Sequence, residues 1–226
     1  MIETRYRRWQ LATGICSATT LLSITYVDRP VADFLNTHIR STSLWVYLGD
    51  LLAPFSLVAV SGLLALLVSG GVLLSGRSLP GWSTTPIICS WSIVWALAAQ
   101  IIFKDIFGRA STATYVQSHL YEFRYFHASS GWNSFPSGTA TIAAAIAAVL
   151  WGTMPSTRLY GVLSVATIAV LLVLTNGHWV SDVICGIALG AYIGNASVLL
   201  QGVQDPPKHS VAKHSSELAT GVDWNE

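Results

Sequence analysis

The sequence predicts an all-α integral-membrane protein, a bundle of six transmembrane helices with one interfacial helix and one large extracytoplasmic loop. Three observations carry that expectation. Only 10% of the 226 residues are charged and 52% are hydrophobic, whereas roughly a quarter of the residues in a soluble domain are charged. The mean hydropathy is +0.54. Apolar runs recur at close to the length of about 20 residues that crosses a ~30 Å hydrocarbon layer.

Taken in order, the candidate spans are 9–27, 52–74, 84–103, 138–154, 158–175 and 179–200. The first is too long and too weakly bounded by small residues for a cleaved signal peptide, so it is expected to be retained. Residues 28–50 set Pro30, Asp33, Asn36, His38 and Arg40 between apolar positions, the pattern of an interfacial helix ahead of the second span. Residues 104–137 form the largest loop, and an interfacial aromatic belt accounts for most of its rings. Residues 1–204 read as one membrane domain without internal repeats. The tail 205–226, with Pro206 and Pro207 in a Lys, His and Ser mixture, reads as disordered and cytoplasmic.

Basic residues set the orientation. Arg5, Arg7, Arg8, Arg77, Arg158, Lys208 and Lys213 all fall on one face of a six-span layout, which is therefore cytoplasmic and holds both termini. The net charge of +1 gives no sign of a nucleic-acid partner. Cys16, Cys89 and Cys185 are odd in number and each lies inside an apolar run, so they suggest packing residues, with no disulfide framework, metal site or other cofactor.

Three fragments lie at the ends of apolar runs on the extracytoplasmic side: Lys104-Asp-Ile-Phe-Gly-Arg109, Phe135-Pro-Ser-Gly-Thr139 and Asn176-Gly-His-Trp-Val-Ser-Asp182. His178 and Asp182 are one helical turn apart, so the carboxylate can orient the imidazole and leave its other nitrogen free to attack. Helix capping would explain the same pair, but ionisable groups this close to a membrane core are costly and functional by default. Lys104 and Arg109 end the third span; Gly108 allows Arg109 to fold back toward Lys104, giving a point charge and a bidentate fork for phosphate. Ser137 and Gly138 open the fourth span, where an N-cap and free amides also suit an anion.

These residues resemble the type 2 phosphatidic acid phosphatase superfamily, the integral-membrane lipid phosphatases that include bacterial polyprenyl-diphosphate phosphatases. Its pattern is Lys-x6-Arg-Pro, then Pro-Ser-Gly-His, then Ser-Arg-x5-His-x3-Asp, and the likeness runs over about 104–190. The resemblance implies a metal-independent phosphatase at the outer face of a bacterial inner membrane. His178 would form a phosphohistidine, with Asp182 holding its ring, while Lys104, Arg109, Ser137, Gly138 and Thr139 bind the phosphate oxygens. Its partners would be a lipid phosphate or diphosphate and the surrounding lipid, with self-association into a homo-oligomer left open.

The chain departs from the pattern at five positions. Ser111 and Thr112 stand at the family's Arg-Pro, Leu171 and Leu172 at its Ser-Arg, and Thr139 at the His of its Pro-Ser-Gly-His, the implied general acid. A diphosphate leaving group would need less protonation, and His127 in the same loop is a candidate replacement acid. Two alternatives stay open: a lipid phosphotransferase, and a catalytically impaired subunit that binds a lipid phosphate or a partner.

Overall fold

The computed structural model describes residues 2–40, 42, 44–127 and 129–204; the tail expected to be disordered lies outside them. The described residues are all-helical, with one isolated bridge between Arg109 and Phe123. Helix α1 (Ile2–Leu22) passes through a π-helical turn at Ser23–Val27 into α2 (Asp28–His38), followed by α3 (Leu44–Leu74) and α4 (Thr84–Phe107). After the short α5 (Thr112–Ser118) come α6 (Gly138–Thr153), α7 (Arg158–Leu174) and α8 (Val180–Gln204).

Among the described residues, four segments are long and apolar enough to cross a membrane: Tyr47–Leu74, Gly81–Phe107, Pro155–Leu174 and Val180–Gln201. They match the second, third, fifth and sixth expected spans. The fourth, α6, is apolar but has 16 residues, about 24 Å at a rise of 1.5 Å per residue. The first, 9–27, is helical but mixes hydroxyl residues with apolar ones; several return their hydroxyls to the preceding turn, as Thr13 does to the Trp9 carbonyl at 2.8 Å. Length and composition by themselves thus mark four of the six expected spans among the described residues.

The centre of the bundle is the pairing of α6 with α8, and it depends on small residues. A Cβ added at Gly186, Gly190 or Gly194 would sit 2.6, 2.1 or 2.3 Å from the carbonyl oxygens of Ser137, Thr141 and Ala145 respectively. Three glycines at four-residue spacing on α8 therefore lie directly against the α6 backbone, the close approach by which membrane helices associate. Ala140, Ile168, Leu172 and Val183 join α6, α7 and α8 in a buried cluster, with Leu52 and Phe55 of α3 against it.

The 104–137 segment is more ordered than a loop. Ser111 caps α5, accepting the Thr114 N–H at 3.1 Å, and Ala110 and Arg124 N–H groups pair with Glu122 and Gly108 carbonyls. Much of its aromatic content points inward and not to an interfacial belt. Trp132 and Phe135 are buried, and Tyr115 and Tyr121 meet the Trp179 ring edge-on at 5.3 and 4.8 Å. Tyr125 and Phe126 remain exposed.

Candidate active site

The end of α4 and the starts of α6 and α8 meet at one end of the bundle. Helix α4 stops at Gly108, which takes a left-handed φ of 46° and returns its N–H to the Lys104 carbonyl. Only glycine fits, because a Cβ there would lie 1.8 Å from the Arg124 carbonyl oxygen. The reversal sends Arg109 into the protein interior.

There Arg109 is 1% exposed and held between two carboxylates. Its Nη2 donates to Asp28 Oδ2 at 2.6 Å and to the Tyr121 hydroxyl at 2.9 Å. Its Nη1 donates to Asp182 Oδ1 at 2.5 Å and to Ser181 Oγ at 2.6 Å. Asp28 in turn accepts the Ser181 backbone N–H and hydroxyl at 3.0 and 2.5 Å, so a side chain from α2 occupies the N-terminal turn of α8, where helix dipole and free amides favour an anion. Burial alone would lower the Arg109 pKa, but the fields of Asp182 and Asp28 outweigh it and hold it above its usual value. Burial raises the Tyr121 phenol above its usual value, keeping it neutral. Where the sequence reading expects Arg109 on phosphate, both arms of its fork here meet buried protein oxygens.

Asp182 is enclosed in the same way. Ser134 Oγ donates to its Oδ2 at 2.5 Å and the Trp179 N–H approaches it at 3.3 Å, while its own carbonyl accepts the Ser137 N–H at 3.0 Å. The Trp179 indole donates to the Ala110 carbonyl at 2.8 Å, tying the loop after α4 to the start of α8. His178 Nδ1 faces Asp182 Oδ2 at 3.6 Å and is buried without a hydrogen-bond partner. Contacts of this kind are often long without substrate and tighten in the complex. The opposite ring edge, carrying Nε2, is the part available for chemistry.

His178 lines a cavity of about 570 Å³. Gln100, Lys104, Gly138 and Thr139 complete its polar end, and Phe55, Val58, Ile142, Ile146 and Leu150 continue it as an apolar shaft between α3, α4, α6 and α7. Lys104 is the only cation in this lining among the described residues.

Of the residues singled out in the sequence, Lys104, Gly138, Thr139 and His178 therefore meet at one cavity, with Asp182 directly behind the histidine. Ser137 does not line it; its hydroxyl is buried and unpartnered, and makes no capping bond to α6. His127 is exposed and outside the lining, on a loop held to the end of α4 by the Phe126 N–H on the Ile106 carbonyl. The departures found in the sequence are absorbed structurally. Ser111 caps α5, Thr112 donates to the Asn176 carbonyl at 2.5 Å, and Leu172 packs in the core. Asp28, Tyr121, Ser134, Ser181 and Gln100 escaped sequence reasoning. Asp28 alone carried a signal, as a carboxylate beside an apolar run.

Residues 86–205 match the family model of the PAP2 superfamily. The chain belongs to that superfamily. With it the chain joins the phosphoric-ester hydrolases, as a phosphatase. Lipid A 1-phosphatase from Rhizobium johnstonii (strain DSM 114642 / LMG 32736 / 3841) is 24% identical over 200 residues, covering 82% of this chain and 78% of the relative. No solved structure matches.

Proposed function

We propose that this superfamily member hydrolyses a lipid phosphate or polyprenyl diphosphate through a phosphohistidine on His178, at the extracytoplasmic face of a bacterial inner membrane. The observation that carries the reading is one cavity whose lining joins Lys104 and His178 to apolar side chains of α3, α6 and α7. The segregation of Arg7, Arg77 and Arg158 from the His178 end supports a topology of six spans with cytoplasmic termini, α1 and α6 joining the four long apolar segments and α2 lying at the interface.

In the first step the Nε2 lone pair attacks the terminal phosphorus. The bond from it to the lipid oxygen of a monophosphate, or to the bridging oxygen of a diphosphate, breaks, and the leaving lipid or lipid monophosphate takes a proton from water where it needs one. In the second, a water oxygen attacks, the P–N bond breaks, and phosphate and free imidazole are restored. Asp182 holds the Nδ1 side of the ring. Lys104 and the first amides of α6, at Gly138 and Thr139, hold the non-bridging oxygens.

Phosphate release by purified protein in detergent, wild type beside His178→Ala, tests the reading on phosphatidic acid, phosphatidylglycerol phosphate and undecaprenyl diphosphate. Release that His178→Ala abolishes supports it, and transfer of the phosphoryl group to a second lipid would make the chain a phosphotransferase. A second reading, a member that binds a lipid phosphate without turnover, is favoured by the single cation at the cavity. Folded protein that releases nothing from any of the three lipids would establish it.

A further inference from the structure

At the polar end of the cavity, Gln100 is a side chain that the reaction above leaves unused. It is 9% exposed, lines the cavity, and has no hydrogen-bond partner among the described residues. Burying a carboxamide without a partner is costly, and an apolar side chain would fill the same space without that cost. Packing alone therefore does not account for an amide here.

Two neighbours fix its place. A Cβ built on Gly138 would lie 1.7 Å from Gln100 Oε1 and 3.3 Å from its Nε2, so the carboxamide rests on the bare first residue of α6. Lys104 follows Gln100 by one turn of α4, which sets the two on the same helix face. Both line the cavity with Gly138, Thr139 and His178. The carboxamide is thus at the N-terminus of α6, where the helix dipole and the first amides favour an anion. With nothing holding its oxygen, a half-turn about its last torsion exchanges Oε1 and Nε2 and turns N–H groups to that anion. The site also has room for a donor. Arg109 faces Asp28 and Asp182, and Lys104 is the only cation in the lining among the described residues.

We infer that Gln100 is a further phosphate-binding residue, whose carboxamide NH2 donates to a non-bridging oxygen of the phosphate held at the start of α6. It neither gives nor takes a proton. It adds a neutral dipole beside the Lys104 ammonium, and its hydrogen bond strengthens as charge builds on the phosphoryl oxygens during attack. Gly138 has a definite task in this arrangement, since a side chain there would push the carboxamide away from the anion.

This inference rests on the proposed site but is tested by binding, so that it can fail separately from hydrolysis. The full chain in detergent is titrated calorimetrically with inorganic phosphate and with orthovanadate. Gln100→Met, which keeps side-chain length and removes the donors, is expected to weaken both anions about tenfold or more, the scale of a hydrogen bond to a charged group. Its unfolding midpoint without anion should stay at or above that of wild type, because an unpaired polar group has been removed. Gln100→Leu repeats the test with a second shape, and Lys104→Gln marks the phosphate site itself. Anion binding lost in Lys104→Gln but kept in both variants at position 100 overturns the inference and leaves the site standing. Weakened binding that comes only with a lowered unfolding midpoint in both variants also overturns it, as the mark of a packing role. Wild type that binds vanadate through Gln100 yet releases no phosphate from lipid keeps the inference and removes the hydrolytic reading. Phosphate release with kcat/KM unchanged in Gln100→Met does the reverse.

Discussion

Replacing Asp28 with Asn tests whether α2 belongs to the catalytic architecture. The wild-type carboxylate receives donors on both oxygens: the Ser181 N–H on Oδ1, and Arg109 Nη2 and the Ser181 hydroxyl on Oδ2. Asparagine keeps the shape but turns an NH2 toward one set of donors. The remaining Arg109–Asp182 pair is still charge-matched, so the loss is that of a charged hydrogen bond, about 2 kcal/mol. Arg109→Met leaves two buried carboxylates without a cation and should cost about 3–5 kcal/mol. In the Arg109→Met background Asp28→Asn removes an uncompensated charge, so its effect should approach zero or change sign. The single and double variants are compared by detergent unfolding in mixed micelles, where 2 kcal/mol is about a 30-fold change in the unfolding constant. A double variant whose loss equals the sum of the singles to within about 0.5 kcal/mol would refute the network as the coupling element.

Gly190→Val should separate α6 from α8 and cut folded yield, since even its Cβ would meet the Thr141 carbonyl at 2.1 Å, whereas Gly70→Ala, with nothing within 4 Å, should leave yield unchanged in size-exclusion profiles. Lys104→Gln should lower kcat/KM for phosphate release by about 10²–10³, the scale of removing a donor at the transition-state oxyanion; a loss below fivefold would put the phosphate elsewhere. His127→Gln should leave turnover within twofold of wild type, because the side chain is exposed and outside the cavity lining. Thr139→His places an imidazole at the cavity wall and should raise turnover of phosphate monoesters, up to about 10²-fold if it protonates the leaving oxygen.

What could be read from the sequence follows from the range of each interaction. Hydropathy placed four spans because transfer of a long apolar run depends on its own composition. It was less decisive for α1, whose hydroxyls bond within their own helix. His178 and Asp182 were legible as a pair because one turn of helix is a local relation. Arg109 was legible as important but not in its role, because its partner Asp28 lies 81 positions away and nothing local to either residue announces the pairing. His127 is the opposite case, near the start of α6 in sequence yet outside the cavity lining. Proximity in sequence to the start of α6 did not survive the pinning of its loop to Ile106. Gln100 looked like one polar residue in an apolar run, and only the packing against Gly138 gives it a site.

The division of charge follows from where Arg109 points. Both terminal nitrogens of Arg109 are filled, Nη2 by Asp28 and Tyr121 and Nη1 by Asp182 and Ser181, so its fork faces protein oxygens and not the cavity lining. Its work is to neutralise Asp182, whose second oxygen is covered by Ser134 and the Trp179 amide. Lys104, which has no ion pair among the described residues, then acts on an incoming phosphate with its field largely intact. On the proposed reading the two cations are used in series: Arg109 holds the carboxylate beside His178, and Lys104 faces the ligand. Asp28 closes the chain of contacts, and it lies outside the matched segment 86–205. Truncating the chain to that segment would leave Arg109 with one buried carboxylate and an open donor arm, so the N-terminal helices are part of the site as well as part of the bundle.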